Sequence, residues 1–270
     1  MPTRSRASFP SVSSRRRRVT TRLARAFTLV ELLVVVAILA LLISLLVPSL
    51  VRARRQAASM RCASNLRQIA AAMHEYTCDY ADRFPIAQYI DEAREAFVCW
   101  DTLTRWVRPD RAEPGLIWEY ADAGEVQQCP AYDGPNLSMG DPYTGYNYNT
   151  SYIGRGQNEG AFLGMDESPA MTAQVRRPGA TVLAGDGGFR SGANKFMRAP
   201  FDLGVSEGTA HAGAQAFRHL RRSNAAHADG HVEVFQRPYR KPGARPDNDA
   251  LLGFPANGFL SAEDSPYSRF

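Results

Sequence analysis

The chain of 270 residues is 44% hydrophobic and 22% charged, and its formal net charge at pH 7 is +5. Residues 1–26 hold eight arginines and no acidic residue, so the charge of the remaining chain is −3. This distribution excludes a nucleic-acid-binding domain, because the positive charge lies in the terminal segment and not in the rest of the chain. The arginine-rich segment is instead typical of a targeting leader.

An apolar run follows this leader. Residues 27–47 contain Glu31 as their single charged residue, and roughly 20 apolar residues are enough to cross the hydrocarbon core of a bilayer. We therefore expect a transmembrane helix over residues 27–50, with the leader in the cytoplasm and the rest of the chain exported. Glu31 needs a partner, because an acid is costly inside a membrane. Pro48 predicts a kink, since an interior proline removes a helical hydrogen bond.

Residues 26–33 read Ala-Phe-Thr-Leu-Val-Glu-Leu-Leu, which resembles the amino terminus of the type IV pilin and type II secretion pseudopilin superfamily. The resemblance implies that a prepilin peptidase removes residues 1–26, cutting between Ala26 and Phe27 and methylating the new amino terminus. It also implies that Glu31 pairs with the amino terminus of a neighbouring subunit during assembly. The family usually has Gly before the cut, so Ala26 predicts slower processing.

Two other targeting signals are alternatives to this motif. A twin-arginine export signal is suggested by Ser14 and the arginines that follow it. An ordinary secretory signal fits less well, because no small-x-small cleavage site follows the apolar run and Glu31 lies inside it.

The helix is expected to continue as an amphipathic segment over residues 51–80, because residues 53–76 contain no Gly or Pro. Apolar side chains recur there at three- and four-residue steps, which predicts a core face. They are Cys62, Leu66, Ile69, Met73 and Tyr76.

Residues 81–270 predict an exported, loop-rich β domain, because Gly, Pro, Asn and aromatic residues separate short apolar runs. We expect a helix within residues 91–107, strands within 126–129, 146–153 and 180–184, and surface excursions at 189–215 and after Pro238. Asp229-Gly230 predicts a hairpin with a two-residue loop. In that register His227 and His231 point to opposite faces and cannot bind one ion.

Several short segments carry a second resemblance, to a helix segment and the carboxy-terminal signature of a large pseudopilin-like family. They are residues 62–69, Phe84-Pro85, Cys129-Pro130, Tyr146-Asn147, Arg177-Pro178 before a strand ending at Asp186, and Arg218-His219 with nine residues before Asp229-Gly230-His231-Val232. The implied fold is α+β: a long amino-terminal transmembrane and amphipathic helix packed on a small antiparallel β-sheet with long loops. Within this signature we predict that His219 hydrogen-bonds the turn, through the Asp229 carboxylate or a nearby carbonyl, and fixes its register, with Gly230 at the positive-φ position.

Metal binding is predicted only weakly. Major pseudopilins as a family bind calcium near the carboxy terminus, and the candidates here are Asp186, Asp202 and Asp229, without a residue-by-residue match. A zinc site needs three or four convergent ligands, which the expected hairpin does not supply. We expect no required cofactor and no enzymatic activity, since the sequence contains no Gly-x-Ser-x-Gly, Walker loop or Cys-x-x-Cys.

Four cysteines in an exported domain permit two disulfides. Cys62 and Cys78 cannot pair with each other if both are helical, because sixteen helical residues span about 24 Å. The remaining arrangements are Cys78 with Cys99 and Cys62 with Cys129, or the crossed pairing. The first is favoured because Cys78 and Cys99 lie outside the segments that resemble the family. Buried free thiols are the third alternative.

Together these features predict a structural subunit, a single-pass pseudopilin of the inner membrane whose helix joins a type II secretion or type IV pilus-like fibre. Its exported domain is expected on the periplasmic side. The expected partners are prepilin peptidase, other pseudopilin subunits, the inner-membrane assembly platform and the lipid bilayer, but no nucleic acid. The alternative is a pilin-anchored module whose Tyr- and Trp-rich loops bind polysaccharide or another ligand, with a membrane-anchored hydrolase as a third hypothesis.

Overall fold

The computed structural model describes residues 28–108, 111–121, 126, 128–132, 134, 145–156, 168–188, 195–201, 213–240, 250 and 252–270. The leader, Ala26, Phe27 and Asp202 lie outside the described residues. The chain divides into two compact units, residues 1–49 and 50–270.

The described part of the first unit is helical. Helix α1 (Leu29–Asp79) is 51 residues long, begins in this unit and contains Pro48. All its side chains up to Ser49 are exposed. By length and composition this helix could cross a membrane, which explains the exposure of so many Leu, Val and Ile side chains. The kink at Pro48 stays a prediction.

In the second unit, α1 contributes one face to a hydrophobic core. The predicted stripe of Cys62, Leu66, Ile69, Met73 and Tyr76 is buried, which confirms that expectation. The arginines next to these positions in the sequence, such as Arg61 and Arg67, are exposed. The 3.6-residue period of the helix therefore separates its apolar and charged faces.

A four-stranded antiparallel sheet follows the helix, in the order β1 (Gln88–Asp91), β2 (Ala96–Cys99), β3 (Thr102–Arg105) and β4 (Ala112–Pro114). The helix expected within residues 91–107 is therefore wrong. In β2, buried Ala96 and Val98 alternate with half-buried Phe97 and Cys99, which is the two-residue period of a strand. Short apolar runs of this kind are compatible with either period.

The remaining strands are short: β5 (Tyr146–Asn149), β6 (Val182–Asp186), β7 (Phe196–Met197), β8 (Gln215–Ala216), β9 (Ser223–His227), β10 (Val232–Phe235) and β11 (Asn257–Gly258). Five of them form a sheet in the order β10-β9-β6-β5-β7, and β11 pairs with β8. Within the five-stranded sheet only the β5–β7 pair is parallel. The expected strand at 126–129 is not formed by its described residues. One long apolar helix followed by antiparallel and mixed sheets confirms the α+β class.

The central strands β6 and β9 of the five-stranded sheet are buried on both faces. Ala184 and Ala226 belong to the core cluster that contains the buried side chains of α1. Val182 and Ala225 belong to a second cluster with Phe259, Leu260 and Tyr267. The tail after Pro238 is therefore not the surface excursion that we expected, because three of its side chains complete this second core.

The β9–β10 hairpin is present, but its register differs by one residue from the predicted one. Val232 pairs with Ala226, and the backbone nitrogen of His227 donates to the carbonyl oxygen of His231 at 2.8 Å. The loop consequently has three residues and ends at Gly230, whose φ is 89°. A three-residue hairpin needs a left-handed residue at its last position, which glycine adopts without steric cost.

Candidate functional site

The described part of the amino-terminal motif begins with a helix cap. The backbone nitrogen and the hydroxyl of Thr28 donate to Glu31 Oε2 at 2.9 and 2.8 Å, and the Glu31 nitrogen donates back to Thr28 Oγ1 at 3.2 Å. This reciprocal pattern is a capping box, which satisfies donors that a helix start leaves free. Glu31 therefore has a local partner within its own chain.

A second group of chemically active side chains lies deep in the second unit. Cys62, Cys129, Asp186 and His219 are all buried, and one ligand atom from each lies within 4.8 Å of the others. Cys62 Sγ lies 3.4 Å from Cys129 Sγ and 2.8 Å from Asp186 Oδ1. His219 Nε2 lies 3.4 Å from Cys129 Sγ and 3.3 Å from Asp186 Oδ2. We call these four residues the Cys-His-Asp cluster.

Burial and mutual contacts shift the pKa values in this cluster. Burial raises the pKa of Cys62 well above its usual value, while the hydrogen bond from Cys62 lowers that of Cys129 to about 6. Burial acts to lower the pKa of His219, but the hydrogen bonds and charges of Asp186 and Cys129 raise it to about 9. Burial acts to raise the pKa of Asp186, which His219 nevertheless holds below its usual value. The contacts therefore favour a charged His219–Asp186 pair.

A tight turn between β8 and β9 places His219. The backbones of His219 and Arg222 exchange hydrogen bonds of 3.1 and 3.0 Å, and the two residues between them, Leu220 and Arg221, have φ values of 53° and 67°. Positive φ at both central positions is the geometry of a type I′ turn. Non-glycine residues are strained there, so the surrounding structure must hold the turn in place.

The predicted partner of His219 is wrong. Its imidazole contacts Asp186 and Cys129, whereas Asp229 accepts from the backbone nitrogen of His231 at 3.1 Å and contacts His231 Nδ1 at 2.6 Å. The signature histidine therefore joins its turn to the end of β6 and does not lock the β9–β10 hairpin.

Neighbouring residues hold the segments of the cluster together. Arg218 donates to the carbonyl oxygens of Gly145 and Gly187, and its guanidinium lies 4.9 Å from the centre of the Tyr132 ring. A Cβ on Gly145 would come within 2.5 Å of the Cys129 nitrogen. Only glycine at this position permits Cys129 to approach so closely.

The shifted hairpin register also places His227 and His231 on the same face of the hairpin, where opposite faces were expected. The rings of His227 and His231 stack with their centroids 4.2 Å apart, and with Glu233 they offer ligand atoms within 4.8 Å of one another. His227 and His231 therefore share a face, and the expectation that they cannot bind one ion is wrong. Burial and the charge of His231 lower the pKa of His227.

The two described calcium candidates, Asp186 and Asp229, do not lie in one group of possible ligands. Asp186 is fully buried in the Cys-His-Asp cluster, while the half-exposed Asp229 contacts His231, and Asp202 lies outside the described residues. Calcium binding stays a prediction.

All four cysteines are thiols in the structure, with Cys62 and Cys129 buried, Cys78 exposed and Cys99 half-buried. The favoured arrangement includes a Cys62–Cys129 bond, and the sulfurs of these two residues lie 3.4 Å apart. Both disulfide arrangements stay predictions.

A basic cleft adjoins the Cys-His-Asp cluster at His219. Its volume is about 640 Å³, and its lining includes Arg54, Arg55, Arg218 and Arg221. Arg54 and Arg55 lie on α1 just after its apolar part. Because four arginines line the same cleft, it could attract an anion.

Many aromatic residues on which a ligand-binding module would depend are structural. Trp100, Trp118, Tyr146 and Tyr148 are buried, and only Trp106 among the tryptophans is exposed, at 45%. Buried rings supply core packing and not a binding surface.

The chain matches the family model of the prokaryotic N-terminal methylation motif over residues 21–47. No curated protein and no solved structure matches the chain significantly. The matched segment covers the end of the leader, Phe27, Glu31 and the apolar start of α1, which supports a pilin-like precursor anchored by one membrane-spanning helix. The match ends before the carboxy-terminal signature, which stays a resemblance.

Proposed function

We propose that this chain is a structural pseudopilin-like subunit of a type II secretion or type IV pilus-like assembly. In this proposal the leader of residues 1–26 is removed by a prepilin peptidase, and α1 anchors the subunit in the inner membrane before it packs into a fibre. The observation that carries the proposal is the methylation motif at residues 21–47, followed by an entirely exposed apolar helix surface up to Ser49.

An exposed apolar surface of this length needs an apolar environment. A lipid bilayer or the packed helices of neighbouring subunits both provide one, because neither leaves Leu, Val and Ile side chains in water. The surface therefore suits a helix that moves from the membrane into a helical bundle. The single acid on it, Glu31, supplies a charge that a neighbouring amino terminus can neutralise.

The second unit then serves as the exported domain. Its sheets, its turns and the three buried hydrophobic clusters of its described residues give a compact body that a fibre can carry on the extracytoplasmic side. The eight arginines before the apolar run favour this orientation, since basic flanks remain in the cytoplasm. We assign this unit a structural role and no catalytic one.

Orientation and assembly are tested in cells that express the full chain with a carboxy-terminal epitope. Protease added to spheroplasts should remove the epitope, and a fraction of the protein should appear in sheared surface fibres or copurify with the assembly platform. Protection of the epitope would contradict the orientation. Complete absence from fibres and from the platform would favour the alternative of a membrane-anchored binding module.

A further inference from the structure

The Cys-His-Asp cluster lies outside the matched motif at residues 21–47, and its composition is that of a metal site. We propose that Cys62, Cys129, Asp186 and His219 bind one structural Zn²⁺ ion, which ties α1 to β6 and to the turn before β9 within the exported domain. This proposal revises the expectation that no metal is required. It is independent of the proposed function, since it concerns only contacts inside residues 50–270.

The four donors match the preferences of zinc. The cluster offers two cysteine sulfurs, one imidazole nitrogen and one carboxylate oxygen. Zinc is a borderline-soft ion that is bound by combinations of Cys, His and Asp, whereas calcium and magnesium prefer oxygen ligands alone. The thiolates therefore favour zinc over the calcium that was considered from the sequence.

Three of the donor spacings fit a tetrahedron. Zinc bonds of about 2.0–2.3 Å place tetrahedral ligand atoms roughly 3.3–3.8 Å apart. The distances from Cys129 Sγ to Cys62 Sγ and to His219 Nε2 are both 3.4 Å, and His219 Nε2 lies 3.3 Å from Asp186 Oδ2. Cys62 Sγ contacts the other carboxylate oxygen, Asp186 Oδ1, at 2.8 Å, and this contact has to lengthen when the ion enters.

The ligands are held by neighbouring groups, as metal ligands usually are. Asp186 Oδ2 accepts hydrogen bonds from the backbone nitrogen and the side-chain amide of Asn224 at 2.8 and 3.2 Å. The strained turn holds His219, and the close approach of Gly145 fixes the backbone of Cys129. The donors are thus positioned by elements that fold around them.

Burial makes the site a closed, structural one. Cys62, Cys129 and Asp186 are completely buried, and His219 is 2% exposed, so no coordination position faces solvent. Structural zinc sites have four protein ligands and no open position. Two thiolates and one carboxylate around Zn²⁺ leave a net charge of −1. The guanidinium of Arg218, the residue before His219, offsets this charge.

A disulfide between Cys62 and Cys129 is the competing chemistry. It would oxidise both thiols, and the buried pair of Asp186 and His219 would then take no part in bonding to the sulfurs. Zinc instead gives a function to all four side chains, which explains why two charged residues converge on the two sulfurs in the core. The two possibilities differ in metal content and in the oxidation state of sulfur, so they can be separated directly.

The test uses the full-length chain, exported and extracted in detergent without chelators. Elemental mass spectrometry should find about one zinc per chain, and Cys62 and Cys129 should react with an alkylating reagent only after denaturation with a chelator. Replacement of zinc by Co²⁺ should produce the visible absorption of tetrahedral cobalt with thiolate ligands. A Cys62–Cys129 linked peptide without zinc, or unoxidised cysteines that take up neither zinc nor cobalt, would overturn the proposal.

Two variants complete the test. Cys129→Ser should lower the zinc content at least tenfold, whereas the matched control Cys78→Ser, which changes an exposed cysteine, should retain it. Zinc retained in full by Cys129→Ser would also overturn the proposal. If Cys129→Ser does not accumulate, the metal content and cobalt spectrum of the wild-type chain decide the question.

Discussion

The carboxylate of Glu31 accepts hydrogen bonds from the backbone nitrogen and the hydroxyl of Thr28, at 2.9 and 2.8 Å. This contact caps the first turn of α1 and gives Glu31 a role that needs no second subunit. Helix capping and assembly can nevertheless be distinguished, because Thr28 takes part in the cap alone.

We predict that Glu31→Ala leaves a membrane-inserted protein that no longer enters fibres or copurifies with the assembly platform. We expect this because the substitution removes the acid that neutralises the amino terminus of a neighbouring subunit. The control Thr28→Val removes the capping hydroxyl, which is worth about 1 kcal/mol, and should still assemble. Equal assembly of Glu31→Ala and wild type in the sheared fraction would reduce Glu31 to a helix cap.

His219→Ala should lower the free energy of unfolding by about 3–5 kcal/mol, because it leaves the buried Asp186 carboxylate without its imidazolium partner. The matched control is His231→Ala, whose imidazole contacts Asp229 at a half-exposed site and should cost less than about 1 kcal/mol. Chemical denaturation of the full chain in detergent measures both. A loss in His219→Ala as small as that expected for His231→Ala would show that the buried pair contributes little.

Gly230→Ala should destabilise the second unit by about 1–2 kcal/mol, because alanine at a φ of 89° is forced into a left-handed conformation. No atom lies within 4 Å of the Cβ that the substitution adds, so steric contact does not contribute. Gly230→Asn is the control and should cost less, since asparagine tolerates this conformation better. If both substitutions were neutral, the turn would not depend on glycine.

Lys195→Met tests a second buried ion pair. Lys195 Nζ lies 2.6 Å from Asp101 Oδ2 and 2.8 Å from Thr102 Oγ1. Removing the ammonium leaves a buried carboxylate and should cost about 3–5 kcal/mol. Arg105→Met breaks the Arg105–Glu113 pair, whose side chains are 38% and 39% exposed, and should cost less than about 1 kcal/mol. A larger loss in Arg105→Met would contradict this ranking of the pairs.

The stability of the domain should fall as the pH drops below about 6.5, where an unfolded histidine takes up a proton. Burial and His231 lower the pKa of His227 in the folded state, against the opposing charges of Glu233 and Asp229. The unfolded state therefore binds more protons in this range, and protonation favours unfolding. Thermal unfolding between about pH 5 and 7 measures the slope, which His227→Gln should make shallower. An unchanged slope in that variant would assign the pH dependence to other groups.

The sequence predicted those elements whose periodicity is long or whose turn chemistry is specific. The buried stripe from Cys62 to Tyr76 follows from a helical period sustained over several turns. The hairpin follows from Asp229-Gly230, but the two residues do not reveal whether the loop has two or three members. That single uncertainty reversed the relation of His227 to His231.

The Cys-His-Asp cluster was not predicted as a site, because its members come from segments that only the tertiary fold brings together. Cys62 is 67 residues from Cys129 and 124 residues from Asp186 in the chain. One signal was available: every member lies in, or directly ends, a short segment that carries the second family resemblance. The pairing of His219 with Asp186 depends on the path of the turn at Leu220 and Arg221. This turn could not be predicted, because its two residues with positive φ are not glycines.

Processing as a pilin-like precursor is tested most directly by mass spectrometry of the amino terminus of the membrane-extracted protein. In cells with an active prepilin peptidase, we expect a mature chain that begins with N-methylated Phe27. Cells lacking the peptidase should retain residues 1–26. An intact leader in both strains, or a cut beyond the apolar segment at residues 27–50, would show that the chain is not a prepilin.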